Sequence, residues 1–280
     1  MDLPGRNWRD LTRAELAAAR DAGALVLVPT GAIEQHADHL PVDTDTRLAT
    51  AVAERAAAQA ESPVIVAPTA AIGFSPHHLS LTGTLSHRLS TYLAMLSETA
   101  RTILSAGFPR VLFVNGHGGN SAPLAALCGE LVTDGHPVGA VDYFAPSTAE
   151  WVPMLTGAFE GVGHACEYET ALVLALADPD HAARVAAKAR DLPPRLTQPW
   201  IAPGATDDPI SRNGARWPAI FHADDCGYYG DPAAATAETG ARMLEATVAG
   251  LARFIGEFAA VPLRVGIAPD PGTPGIDRPG

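Results

Sequence analysis

Apolar residues along this chain arrive in short continuous blocks separated by alanine-rich stretches, and that rhythm predicts the elements. Four blocks read as buried strands: ALVLVP at 24–29, PVIVAP at 63–68, RVLFVN at 110–115 and PVGAVDY at 137–143. Each is short, rich in aliphatic residues and bounded by Gly, Pro or polar residues. Helical stretches lie between them. Thr12 with Glu15 three residues on makes a capping-box pattern, which predicts a short helix ending near Gly23. The Ala-rich run carrying Arg47 and Glu54 predicts a helix over 46–60. Ser90 is expected to cap a helix that stops at Gly107, and another is expected over 121–133, closed by Gly135. Strand and helix alternate through residue 143, which predicts an α/β protein with a mostly parallel sheet and helices on both faces.

The second half is less regular. Residues 144–163 lack a period, 166–178 read as a helix stopped at Asp178-Pro179, and 190–232 read as loop. A long amphipathic helix is expected over 233–258, and the tail from Pro262 alternates Pro and Gly. The 69–88 stretch is a long Gly/Pro/His-bearing loop between regular elements, the kind of loop that usually carries function. No internal repeat or boundary divides the chain, so one domain over 1–260 is expected, with 261–280 as a Pro/Gly-rich tail.

Composition narrows the partners. Lys and Arg total 19 against 31 Asp and Glu, a net charge of −12 with no basic run, which argues against nucleic acid and anionic membranes. Hydrophobic residues at 47% and charged residues at 18% are a globular balance. Cys128, Cys166 and Cys226 are an odd number without CxxC spacing, so neither a disulfide framework nor a thiolate zinc knuckle is expected. The first residues lack an apolar targeting segment and no stretch reads as a membrane helix, so a cytoplasmic protein is expected.

Polar residues gather just beyond the strands, where open α/β sheets bind ligands. After the first strand comes GAIEQHADHLPVDTD. Glu34 and His36 are two apart, so an extended backbone sends both to one side, a carboxylate and an imidazole suited to a divalent metal. His36 and His39 can equally be solvated loop residues. Asp43 and Asp45 repeat the spacing, and Asp45 reads either as a ligand or as the N-cap of the next helix. After the third strand, NGHGGN offers His117 as a ligand more readily than a phosphate cradle, because the Lys-Ser/Thr of a P-loop is missing. In GHACEYET, His164 precedes Glu167 and Glu169, which cannot share a helical face. Glu167 reads as a solvated helix-start carboxylate and Cys166 as a packed residue. This inventory fits a two-metal hydrolytic site, with a bridging carboxylate and a trapped hydroxide as nucleophile.

Taken together, GAIEQHADHLPVDTDT, GFSPHHLSLTGT, FVNGHGGNS, GHACEYETALVLAL and GYYGDPAAATAETG resemble the creatininase (creatinine amidohydrolase) family, over about residues 8–258. The resemblance implies a three-layer α/β/α sandwich, a dinuclear amidohydrolase and a homo-oligomer, often a hexamer. It implies two divalent ions per subunit, with Zn, Mn and Fe(II) equally suited to oxygen and nitrogen ligands. By position, Glu34, His36, Asp45 and His117 match the metal ligands, with Asp45 bridging. Glu169 matches the remaining ligand, close to the chemistry, and His164 matches a histidine that acts as acid and base. His78 and Thr84 lie in a loop that resembles the substrate-side wall. Asp38 adds a carboxylate near the site, and Trp151 either covers the pocket or packs.

Three departures bear on substrate. Creatininase proper has Tyr-Glu after the metal histidine, where this chain has Gly118 and Gly119. Ala37 and Asp38 replace the usual Gly-Pro, and Ala171 replaces a serine. The expected activity is therefore hydrolysis of a small or cyclic amide C–N bond other than an ordinary peptide bond, with creatinine disfavoured. The alternatives are a peptide-processing, formamide or natural-product tailoring hydrolase, and an inactive scaffold. Arg88, Arg212 and Arg216 are candidates for clamping a phosphorylated substrate.

Overall fold

The computed structural model describes residues 6–194, 221, 223, 224 and 226–266. Four strands, β1 (Leu25–Thr30), β2 (Val64–Val66), β3 (Val111–Asn115) and β4 (Val138–Asp142), form one parallel sheet in the order β2-β1-β3-β4. The helices are α1 (Arg13–Asp21), α2 (Thr44–Gln59), α3 (Leu89–Ser105), α4 (Gly118–Thr133), α5 (Thr148–Trp151), α6 (Glu167–Leu176), α7 (Pro179–Arg190) and α8 (Ala237–Ala260).

The strands bury every residue of β1, β2 and β3, as parallel strands covered on both faces must. Alternate side chains enter two separate cores. Val26, Val28, Ile65 and Phe113 meet Ala19 of α1, Tyr92 and Leu96 of α3 and Leu124 of α4. Leu25, Leu27, Val64 and Leu112 meet α2, α6 and α8 through residues such as Leu48, Leu172 and Met243. The result is the expected three-layer α/β/α sandwich. Among the described residues, no helix is long and apolar enough to cross a membrane.

Strand order reverses at β1, whose neighbours β2 and β3 lie on opposite sides. The loops after β1 and β3 part there and leave a crevice beyond the carboxyl ends. Close backbone approach shapes this crevice. A Cβ on Gly116 would meet the Asp45 carbonyl oxygen at 2.6 Å and the Ala49 methyl at 2.8 Å, so glycine lets the first turn of α2 press against the end of β3. Asn115 and Asn120 tie the loops together: Asn120 Nδ2 donates to the Gly31 carbonyl at 3.0 Å, and its Oδ1 accepts from Phe74 N–H at 2.9 Å.

Several elements differ from expectation. Helix α3 starts at Leu89 with Arg88 as N-cap, so Ser90 is no cap. Helix α4 begins at Gly118 rather than 121, with His117 as N-cap, and it keeps Pro123 inside, where the ring offers no N–H to the Gly119 carbonyl. Helix α7 had no counterpart in the sequence reading; Asp178 caps it, accepting from His181 N–H at 2.9 Å, and Pro179 opens it rather than merely ending α6. Helix α8 begins at Ala237, later than 233, because Thr236 caps it. Most of the loop expected at 190–232, and the tail beyond 266, lie outside the described residues, as do Arg212 and Arg216.

Candidate active site

Glu34 leaves the loop after β1 and sits at the centre of a buried ring of histidines. Its Oε1 lies 3.2 Å from His117 Nδ1, 3.4 Å from His78 Nε2 and 3.4 Å from His164 Nδ1. Asp45, in the first turn of α2, places its two oxygens on two different histidines: Oδ1 is 3.1 Å from His36 Nε2 and Oδ2 is 3.0 Å from His117 Nδ1. Asp43, not Asp45, holds the N-cap position, and its carboxylate pairs instead with Arg47 at 3.1 Å. The capping alternative for Asp45 is thereby excluded.

The outer nitrogens of these rings are held by the backbone. His36 Nδ1 lies 3.1 Å from the Glu34 carbonyl oxygen, and His117 Nε2 lies 3.2 Å from that of Phe74. A ring nitrogen facing a carbonyl oxygen carries the proton, so the lone pairs of neutral His36 and His117 face the carboxylates. Such outer hydrogen bonds orient metal-ligating histidines. Both Glu34 oxygens and Asp45 Oδ2 are buried with no hydrogen-bond partner of good geometry. Buried carboxylates left this way are costly unless a cation completes them. Three groups here bring ligand atoms within 4.8 Å of one another: Glu34 with His36 and Asp45, Glu34 with His77 and His117, and Glu34 with His78 and His164. The residues fit a divalent metal.

Charges are strongly coupled within this ring. Burial opposes a charged His36, but the adjacent Asp45 carboxylate outweighs it and lifts the imidazole to about 10. Burial likewise opposes a charged His117, and Glu34 and Asp45 raise it. Burial opposes ionised Asp45, but His36 and His117 hold it well below the carboxylate range. For Glu34 burial wins and the carboxyl is raised. Burial, then His36, lowers His164.

Glu169 lines the same cavity, and burial raises it to about 7 against the pull of His36. Its Oε2 accepts from Cys166 N–H at 3.2 Å at the start of α6, so it stands outside the three tight groups. Glu167 departs from expectation. Rather than solvated, it is buried, and its carboxylate accepts from Thr156 N–H at 2.9 Å and Gly157 N–H at 2.8 Å, pinning the 156–157 loop. His39 is also buried rather than solvated, with Nε2 2.9 Å from Thr170 Oγ1. Cys166 packs, as expected.

The cavity measures about 210 Å³. Phe144, Val162, Phe221 and Tyr229 form its apolar wall, and His77 adds a further imidazole. The sequence reading missed all of these. His77 had a signal, since it adjoins His78, whereas Phe221 is reached only through folding: its backbone N–H donates to the His77 carbonyl at 3.0 Å. The Phe221 ring stacks on His78 at 4.6 Å.

Of the residues assigned to the substrate wall, His78 lines the cavity. Thr84 does not; its hydroxyl accepts from Gln35 N–H at 3.1 Å and donates to the His78 carbonyl at 3.2 Å, bracing the loops behind it. Asp38 is exposed and absent from the lining. Trp151 takes the packing alternative rather than covering the pocket: at 1% exposure it lies in the core, its ring 4.4 Å from Tyr168 and its Nε1–H on the Phe144 carbonyl at 2.9 Å. A large indole with its single donor satisfied by backbone is a packing residue.

The family model for creatininase, described as creatinine amidohydrolase, matches residues 9–255. The chain belongs to the creatininase family. Among curated relatives in this family, the mycofactocin precursor peptide peptidase of Mycolicibacterium smegmatis is 35% identical over 232 residues, covering 81% of this chain and 83% of the relative. The protein of that name from Mycobacterium tuberculosis is 30% identical over 245 residues, covering 85% and 86%. A solved mutant creatininase aligns with a TM-score of 0.72 at 26% identity, covering 92% of this chain and all of that one. This family is one of hydrolases, and the fold expected from the resemblance is the one observed.

The departure at Gly118-Gly119 acquires a physical reason. A Cβ on Gly119 would lie 2.3 Å from His117 Nε2 and 2.6 Å from the Phe74 carbonyl oxygen. Position 119 has no room for a side chain while His117 keeps its backbone hydrogen bond. Ala37, one of the departures from the resemblance, holds φ at +52°, a conformation glycine adopts without cost.

Proposed function

We propose that this protein is a two-metal amidohydrolase that cleaves an amide C–N bond in a peptide or peptide-like substrate. The observation that carries the reading is the set of unpartnered buried oxygens on Glu34 and Asp45, faced by imidazole nitrogens at the floor of a cavity. Asp45 supports two ions rather than one, because its oxygens address His36 and His117 separately. Glu34 and His117 would serve one ion, His36 the other, and Asp45 both, with Glu169 the nearest further carboxylate. Bound there, Zn, Mn or Fe(II) would supply Lewis acidity toward the amide carbonyl and lower the pKa of water to near neutrality.

The chain's own residues account for the proton. His164 keeps its outer nitrogen on the Gln35 carbonyl at 2.7 Å and turns Nδ1 toward the centre. Burial favours its neutral form, so Nδ1 can take a proton from water and return it to the leaving nitrogen. The apolar wall of Phe144, Val162 and Phe221 excludes water around the acyl group.

Among the substrate classes open from sequence, a peptide-type amide has the most support. Relatives named as peptide peptidases align over more than four-fifths of this chain. The missing side chain at Gly119 argues against creatinine. A homo-oligomer remains part of the reading.

Elemental mass spectrometry on untagged protein, purified without chelator, tests the metals. Close to two divalent ions per chain is expected, and none after Asp45→Ala. A chain that takes up neither Zn nor Mn would overturn the reading in favour of a scaffold. A panel of short peptides, formamides and lactams tests the substrate, with turnover expected first among the peptides.

A further inference from the structure

Two histidines face Glu34 Oε1 at the same distance, His78 through Nε2 and His164 through Nδ1, each at 3.4 Å. One residue stands behind both. The side-chain amide of Gln35 is oriented by Ala37 N–H, which donates to its Oε1 at 2.9 Å, so its NH₂ group points the other way. That NH₂ lies 2.9 Å from His78 Nδ1. An amide NH₂ only donates, so His78 Nδ1 must be the bare nitrogen, and in neutral His78 the proton sits on Nε2. The backbone carbonyl of Gln35 lies 2.7 Å from His164 Nε2. A carbonyl only accepts, so His164 Nε2 carries the proton and its Nδ1 is bare. The Gln35 amide nitrogen, 3.0 Å from the same His164 Nε2, is then a contact between two donors rather than a hydrogen bond.

We propose that Gln35 is a positioning residue that makes His78 an N–H donor at the reacting centre, opposite the bare nitrogen of His164. The two rings share one tautomer yet present opposite edges. His164 can take a proton, whereas His78 can offer one to an oxygen that gains negative charge, such as the carbonyl oxygen of an amide under attack. Phe221, stacked on the His78 ring, and the Thr84 hydroxyl, on its backbone carbonyl, restrain that ring in place. Sequence order hides this pairing, since Gln35 and His78 stand 43 residues apart. The assignment rests on the amidohydrolase reading for its consequence but on hydrogen-bond geometry alone for the tautomer, so the two can fail separately.

The test uses the full chain loaded with zinc and labelled with ¹⁵N-histidine. Long-range ¹H–¹⁵N correlation spectra, assigned through His78→Ala, should show His78 protonated at Nε2 and bare at Nδ1. Gln35→Glu replaces the donor by an acceptor and should move the His78 proton to Nδ1 or leave both nitrogens protonated. It should also lower kcat by about 10²-fold, the scale for losing one oxyanion donor, with a much smaller change in KM. In a His78→Ala background, Gln35→Met should cost little more, because it removes the donor to His78 without setting a carboxylate beside His164 Nε2. Gln35→Met, which removes the donor without adding charge, provides a second variant should Gln35→Glu fold poorly. A wild-type His78 protonated at Nδ1, or one whose Nε2 resonance shows zinc ligation, overturns the proposal. So does a Gln35→Met penalty that multiplies undiminished on top of His78→Ala. A protein with no amide hydrolysis at all would sink the functional reading and leave the tautomer measurement to decide the role of Gln35.

Discussion

The two helical layers of the sandwich are built on the same strands and do different work. The α1/α3/α4 layer meets the sheet through an almost wholly apolar core, Tyr92 and Leu96 among its fully buried members. The α2/α6/α8 layer has an apolar core of its own but carries Asp45, Glu169 and Glu167 at the helix starts nearest the strand ends, all buried. The helix N-terminus explains the placement: it leaves backbone N–H groups unpaired and favours negative charge. One layer is therefore mainly scaffold, and the other buries carboxylates at its helix starts, where histidines face Asp45 and backbone N–H groups meet Glu167 and Glu169.

Four measurements would break or sharpen this contrast. The largest effect is expected from Asp45→Ala in the ligand layer. Turnover should fall to background and bound metal should vanish, with circular dichroism confirming that the sheet persists. Activity retained in that variant would remove the distinction between the layers.

Leu96→Ala in the scaffold layer should cost roughly 2–5 kcal/mol of stability in urea unfolding, the range for opening a core cavity. Metal content and kcat/KM of the folded fraction should stay at wild-type values. Loss of metal in this variant would mean that the two layers are energetically one.

His39 sharpens the contrast through pH. Burial, then the charges of His36 and Lys188, lowers His39 to about 4. The unfolded chain binds the proton near the ordinary value of about 6.5. Stability from keeping His39 neutral is thus present above pH 6.5 and is lost as pH falls through 4. The full loss is on the order of 3 kcal/mol. The pH dependence of unfolding should flatten over this window in His39→Gln; an unchanged slope would show that His39 does not contribute.

The smallest effect is expected at Ala37, whose φ of +52° strains a non-glycine residue. Ala37→Gly should stabilise the chain by at most about 1 kcal/mol, since part of the relief is offset by a freer unfolded state. A rise in thermal midpoint without change in metal content would fit. A fall would mean that the Ala37 methyl packs to advantage in the loop.

Much of the fold was legible in the chain. The four strands were read within a residue or two at each end: β1, β2 and β3 because parallel strands covered on both faces must be continuously apolar, and the partly exposed edge strand β4 from its short apolar run after Pro137. The gathering of Glu34, His36, Asp45 and His117 at one place was also legible, through short spacings at strand ends and through motifs that resemble the creatininase family. Helix α7 was missed because Asp178-Pro179 stops one helix and caps the next with the same residues. Glu167 and His39 were misjudged because a polar residue in a loop looks solvated until a distant backbone, here Thr156 and Gly157, or a distant side chain, here Thr170, comes to meet it.

What the chain determined alone is therefore what depends on near neighbours: strand and helix periods, caps, and the local spacing that sends Glu34 and His36 to one side. What tertiary structure decided is whatever needs partners far along the chain. It set Trp151 into the core and Phe221 over His78. It gave Asp45 a different histidine for each oxygen, and it put Gln35 behind both His78 and His164. The reason is physical: a buried polar group takes its role from the donors and acceptors around it, and those assemble only when the strand ends converge.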